Sequence, residues 1–266
     1  MQRNRVKAST LRLEQGQLDY VRFGKGDRAL VLIPGLSFNR VKGFALPLAG
    51  MYRLFAKAYA VYVFDKRADI PDGYTIRDMA DDLALAMRQL RLCGADVLGV
   101  SQGGMIAQYL AIDHPQLVRR LALGVTAPRR NAVLEEAVSG WIAMAQAGER
   151  KALVADMLEK TYSDAYRKRY RLLMPLLSRM VKKRDFERFI ALARACLTCN
   201  AYPELYKITC PTFVIGGKQD KIVTAEASEE IAAALGCELY LYDALGHAAY
   251  EEAGDFNERV YRFFAE

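Results

Sequence analysis

The sequence predicts an α/β protein: a mostly parallel sheet with helices on both faces, interrupted by an inserted helical cap. Short apolar runs bounded by turn residues recur along the chain, as buried parallel strands require. Stretches with apolar residues at helical spacing separate them. The strand pattern stops after Arg130 and resumes at Thr212, leaving a helical stretch between two halves. Strand–helix alternation on either side of one insertion implies a single covered sheet. The expected division is residues 1–126 and 206–266 for the core and 127–205 for the cap. With 266 residues, 52% of them hydrophobic, the chain can bury one large core.

Thr10–Leu13 and Leu18–Phe23, separated by Gly16, read as an antiparallel hairpin. Buried strands are expected at Ala29–Ile33, Ala60–Phe64, Asp96–Val100 and Leu121–Val125. Between the second and third of these, Met79, Leu83, Met87 and Leu90 mark a helix within Ile76–Leu92. In the cap, Val133–Ala147 and Ser163–Met174 read as amphipathic helices, the second stopped or kinked by Pro175. Thr212–Gly216 and Glu238–Tyr242 resume the strands around a helix at Ala225–Leu235, and Asp255–Phe264 closes the chain as a helix.

No apolar run approaches the roughly 18 residues of a membrane span. The basic first residues lead into no apolar signal segment, so a cytoplasmic protein is expected. Five cysteines (Cys93, Cys196, Cys199, Cys210 and Cys237) are too few and too odd in number for a disulfide framework. Cys196 and Cys199 form a C-x-x-C pair, but no second pair exists and the chain holds two histidines. Buried thiols in a helix are therefore expected there, with no metal and no cofactor. Net charge is +7, and residues 127–205 hold fifteen Lys/Arg against nine Asp/Glu. These basic residues interleave with Leu, Met and Tyr at helical spacing, which marks a solvated helix face, and no nucleic-acid recognition motif accompanies them. Arg129, Arg130, Arg167, Lys168, Arg169, Arg171, Lys182, Lys183 and Arg184 would also suit an acidic partner or substrate at the cap.

Gly99-Val100-Ser101-Gln102-Gly103 matches G-x-S-x-G, between an expected strand and an apolar helix at Gly103–Ile112. A nucleophile on so sharp a turn has a strained backbone, and side chains two residues to either side would collide. A serine hydroxyl also needs a base to take its proton. His114 lies at the far end of that helix, roughly 15–20 Å away at about 1.5 Å per residue. His247 instead follows a strand, on a loop at the sheet's carboxyl edge. A carboxylate must then hold the imidazole in one tautomer. Asp220 stands directly after Thr212–Gly216; Asp243, Glu251 and Glu252 are rivals by nearness to His247 in sequence. Neighbours on a tight loop seldom point at each other, which favours Asp220. Donors for a developing oxyanion are expected from the backbone N–H of Gln102 and of Leu36, in the loop Pro34-Gly35-Leu36-Ser37.

Taken together, Ile33-Pro34-Gly35, Asp65, Gly99 to Gly104, Cys210 to Gly216, Asp220 and Gly246-His247 resemble the α/β-hydrolase superfamily. More narrowly, the chain is similar to small esterases and lactonases with a helical cap after the sixth strand. The resemblance implies a Ser101–His247–Asp220 triad. Two departures stand out. Many relatives carry His-Gly where this chain has Pro34-Gly35, and the usual Arg-Gly-x-Gly-x-Ser after the fourth strand is replaced by Lys66 to Gly73.

The reading that follows is a serine hydrolase of a carboxylic ester, lactone or thioester with a small to medium apolar acyl group. A carbon–carbon bond hydrolase or acyltransferase of the same fold, and a triad-retaining binding protein, are the alternatives. A small ester-like molecule is the expected partner, with Phe38, Trp141, Met144, Tyr162 and Tyr166 as candidate pocket residues. Met157, Tyr170 and Met174 are further cap candidates.

Overall fold

The computed structural model describes residues 6–170 and 185–266. One sheet contains β1 (Lys7–Leu13), β2 (Gly16–Phe23), β3 (Arg28–Ile33), β4 (Tyr59–Arg67), β5 (Ala95–Val100), β6 (Val118–Gly124), β7 (Thr212–Gly217) and β8 (Glu238–Tyr242). Their order is β1-β2-β4-β3-β5-β6-β7-β8. β1 and β2 pair antiparallel, as does β2 with β4; the pairings from β3 through β8 are parallel.

The described helices are α1 (Ala45–Met51), α2 (Ile76–Gln89), α3 (Gln102–Asp113), α4 (Ala132–Gln146), α5 (Arg150–Thr161), α6 (Asp164–Tyr170), α7 (Phe186–Cys196), α8 (Ala225–Leu235), α9 (Ala249–Glu252) and α10 (Phe256–Ala265). Strand residues alternate between two apolar cores, as a period of two demands. Val31, Ile33, Val97, Leu121 and Leu123 face α2, α3 and α8, whereas Leu30, Leu32, Leu98 and Ala122 face Phe55 and α10. The expected α/β fold is the observed one. α2 starts where Thr75 and Asp78 form a reciprocal capping box.

Helices α4 to α7 lie between β6 and β7. Arg188 of α7 anchors this layer on the end of β4, donating to the Asp65 carboxylate at 3.0 Å and to the carbonyls of Lys66 and Arg67. Of the expected Ser163–Met174 helix, Asp164–Tyr170 is helical, while Met174 and Pro175 lie outside the described residues. Cys199 falls past the end of α7 rather than within it, because the helix stops at Cys196 and the chain turns.

The tightest point in the fold is the turn from β5 into α3. A methyl group on Gly99 would lie 2.4 Å from the Gly103 carbonyl oxygen, and one on Gly103 would lie 1.9 Å from the Ile33 carbonyl oxygen. Both clashes are with backbone, which cannot swing aside as a side chain can. Gly103→Ala is therefore expected to lower folding stability by about 3 kcal/mol or more, the upper end for overpacking. Urea denaturation checks this; a loss below about 1 kcal/mol would show that α3 can shift away from β3.

Candidate active site

Ser101, Asp220 and His247 sit past the carboxyl ends of β5, β7 and β8, and the Pro34–Ser37 loop follows β3. β3 and β5 are neighbours, yet the chain leaves them for β4 on one side and β6 on the other. That divergence opens a crevice at their carboxyl ends, where open α/β sheets take ligands.

Ser101 has φ 55° and ψ −124°, a backbone state that non-glycine residues rarely hold. Its surroundings hold it there. The Ser101 N–H donates to Gly124 at 2.9 Å, and its carbonyl accepts from the Thr126 hydroxyl at 2.7 Å and the Gly104 N–H at 2.8 Å. The side chain is thereby presented at the apex of the turn. Ser101 Oγ lies 2.8 Å from His247 Nε2, and His247 Nδ1 lies 2.8 Å from Asp220 Oδ2.

The other Asp220 oxygen accepts from the N–H groups of Ile222 at 2.8 Å and Val223 at 3.0 Å. Burial alone would raise this carboxyl; His247 and the two N–H groups outweigh it and hold Asp220 below the usual carboxylate range. An ionised carboxylate can only accept, so Nδ1 carries the hydrogen and the Nε2 lone pair faces the serine hydroxyl. The rivals are engaged elsewhere. Asp243 pairs with Lys218 at 2.7 Å, Glu251 accepts from the Tyr162 hydroxyl at 2.8 Å, and Glu252 accepts from the Ser163 N–H at 2.9 Å. His114 ends α3 with Nε2 2.7 Å from Asp81 and Nδ1 2.9 Å from Arg88.

A cavity of about 70 Å³ opens onto Ser101 and His247. Leu134, Val138 and Trp141 line it, one stripe of α4 at i, i+4 and i+7, together with Met105 and Ile222. Leu36 and Gln102 border it beside the serine. Gln102 is the first residue of α3, so its N–H belongs to the turn without intrahelical acceptors, at the positive end of the helix dipole. Outside lies a groove of about 460 Å³ that shares Gly35, Leu36, Met157, Thr161 and Tyr250 with the cavity and runs on to Phe44, Leu48 and Tyr162.

Residues 29–254 match a family described as alpha/beta hydrolase fold. The chain belongs to the α/β-hydrolase family. Among curated relatives, 3-oxoadipate enol-lactonase 2 of Acinetobacter baylyi is 26% identical over 81% of this chain and 80% of its own length. A 2-hydroxy-6-oxononadienedioate/2-hydroxy-6-oxononatrienedioate hydrolase of Paraburkholderia xenovorans is 27% identical over 98% of this chain and 97% of its own. Among solved structures, an enol-lactonase from Burkholderia xenovorans superposes with a TM-score of 0.84 at 24% identity, covering 97% of this chain and 100% of that one. An α/β-hydrolase enzyme from a Medee basin deep-sea metagenome library gives 0.85 at 21%, covering 97% and 98%. These two likenesses show the fold.

For this α/β-hydrolase the pocket residues divide. Trp141 lines the cavity, its indole N–H donating to Asp156 at 2.7 Å, and Tyr162 lines the outer groove. Phe38, Met144 and Tyr166 border neither, which corrects the sequence expectation. Phe38 is drawn into a stack on Phe189 of α7, with centroids 4.0 Å apart. Met144 lies nearly a turn beyond Trp141 on α4, against the apolar core. Tyr166 packs between Tyr162 and Tyr170. Sequence reasoning misses Met105, Leu134, Val138, Ile222 and Tyr250, of which Ile222 and Tyr250 were signalled only by nearness to Asp220 and His247.

The C-x-x-C thiols are buried and free, and burial pushes Cys196 up to about 11 and Cys199 up to about 12. Of the basic cap residues, Arg129 pairs with Glu230, Arg130 with Glu135 and Arg167 with Asp164, while Arg171, Lys182, Lys183 and Arg184 lie outside the described residues. Among the described residues no helix is long and apolar enough to cross a membrane.

The geometry makes the serine testable without a substrate. A fluorophosphonate is expected to label one site per chain. Ser101→Ala should abolish labelling, and Asp220→Asn, which favours the wrong tautomer, should slow it by about 10²-fold or more. Intact-mass spectrometry reads both; equal labelling of Ser101→Ala would place the nucleophile elsewhere.

Proposed function

We propose that this chain is a serine hydrolase that cleaves a carboxylic ester, lactone or thioester with a small apolar acyl group, by way of an acyl-enzyme on Ser101. The observation that carries this is the unbroken hydrogen-bonded line Asp220–His247–Ser101, ending in an apolar cavity. The lactonase among the relatives supports including cyclic esters.

His247 Nε2 takes the Ser101 proton as Oγ attacks the carbonyl carbon. The resulting imidazolium is stabilised by the Asp220 carboxylate, which stays ionised because its pKa is held low. The carbonyl oxygen gathers negative charge between the N–H groups of Leu36 and Gln102. His247 returns its proton to the departing alkoxide or thiolate. A water molecule, activated by the same ring, then cleaves the acyl-enzyme.

The two spaces suggest which arm goes where. The leaving group must depart and water must enter while the acyl arm stays attached. The open groove suits the first role and the inner cavity the second. An apolar cavity of about 150 Å³ admits a benzene ring, so one of about 70 Å³ suits an acyl chain of a few carbons. The p-nitrophenyl ester series tests this. Acetate to butyrate should be turned over continuously, with kcat/KM falling about tenfold by octanoate, since extra methylenes crowded into a filled cavity cost about 1–3 kcal/mol. Trp141→Ala should shift the optimum to longer chains. A single acylation without further turnover would indicate a binding protein, and a rate rising through decanoate would put the acyl arm in the groove.

A further inference from the structure

β4 ends in Asp65-Lys66-Arg67, and the Lys66 residue is only 7% exposed. Its Nζ donates to the carbonyl oxygens of Pro34 at 2.5 Å and Gly35 at 2.7 Å. These belong to the loop after β3 that borders the cavity. The loop is pressed against the nucleophile, since a methyl group on Gly35 would lie 3.1 Å from Ser101 Cβ. The Gly35 carbonyl and the Leu36 N–H are the two ends of one planar trans peptide and point to opposite sides of it. Whatever grips the oxygen aims the hydrogen.

We propose that Lys66 is a positioning residue for the hydrolytic reaction: by holding the Pro34 and Gly35 carbonyls it directs the Leu36 N–H at the developing oxyanion. The inference rests on the serine-hydrolase reading above. A cation behind the peptide also polarises it, which strengthens the N–H as a donor.

Burial pushes the Lys66 ammonium down to about 8; Asp65 on the same strand and the Cys196 thiol of α7 oppose that shift, and Arg188 of α7 adds to it. A folded pKa below the unfolded value means that the charged form costs folding stability. That cost is full below about pH 8 and fades as pH rises toward the ordinary lysine range. An ammonium kept at such a place serves the loop rather than general stability. As pH passes about 8 the charge is lost and the grip weakens.

Wild type, Lys66→Met and Lys66→Arg are assayed on p-nitrophenyl acetate across pH 6 to 10, with thermal denaturation alongside. In wild type, kcat should fall as pH rises through about 8. Lys66→Met should lower kcat about 10- to 100-fold at neutral pH, somewhat less than removal of an oxyanion donor, with KM little changed and the alkaline fall gone. Lys66→Arg, which keeps its charge throughout, should recover part of kcat without an alkaline fall. The proposal is overturned if Lys66→Met stays within about twofold of wild type, keeps the alkaline fall, or loses activity only in proportion to unfolded protein. Absence of turnover in wild type removes the hydrolase reading and this one with it; wild-type turnover with an indifferent Lys66→Met removes this one alone.

Discussion

The backbone of Ser101 is held at φ 55° because the chain must turn from β5 into α3 within one residue, and much else is arranged around that turn. The reversal brings α3 so close to the sheet that residues 99 and 103 have no room for a side chain. It brings the amino end of α3, with its free N–H groups and positive dipole, to the base of the serine. It also sets the serine at the edge of the crevice between β3 and β5, within reach of loops following β7 and β8. A relaxed turn would lose these placements together. The strain is tolerated because Gly124 and Thr126 at the end of β6 hold the Ser101 peptide groups from the other side.

A second centre of organisation is the Asp65 carboxylate at the end of β4. It accepts from Arg40 at 3.0 Å and the Val41 N–H at 3.2 Å, both just beyond the Pro34–Ser37 loop, and from Arg188 of α7 at 3.0 Å. Two arginines in partly buried positions around one buried carboxylate hold the loop after β3 and α7 in a shared frame. Gln102 adds a third link, since its side-chain amide donates to the Leu192 carbonyl of α7 at 2.6 Å. Gln102, the first residue of α3 and next to Ser101, is therefore fastened by its side chain to α7. Removing one partner from such a cluster leaves a buried charge poorly compensated, which is costlier than losing an exposed pair.

Much of this was legible in the sequence, and the reason is steric. Buried parallel strands must be apolar on both faces, and a strand-to-helix turn this sharp must have glycines around it, so the sheet and the Ser101 turn announce themselves locally. Asp220 and His247 followed because each stands just after a strand, at the edge where ligands bind. The pocket was less legible. Phe38 and Tyr166 are large and aromatic, but whether such a side chain faces a cavity or another ring depends on how the cap helices pack. Here Phe38 found Phe189, and Tyr166 found two tyrosines. Lys66 was marked only as the start of an unusual segment, with no sign of what it holds. A lysine after an apolar strand ordinarily reaches water, and only the turn of the β3 loop across its path makes it an internal anchor.

Helix α5 and the histidine loop are also joined. The Ala248 N–H, next to His247, donates to the Thr161 carbonyl at 2.9 Å at the end of α5. Glu251 and Glu252 of α9 accept from Tyr162 and Ser163 in the same stretch. Burial raises the Glu251 carboxyl, and the Tyr162 and Tyr250 hydroxyls offset part of that by donating to it. Thr161 and Tyr250 both border the passage between the inner cavity and the outer groove. Widening the passage by shifting α5 would pull on the loop that aims His247 at the serine. The passage and the His247 loop therefore share a hydrogen-bonded segment. A displacement of Thr161 at the end of α5 is thereby passed through the Ala248 N–H to the loop that carries His247.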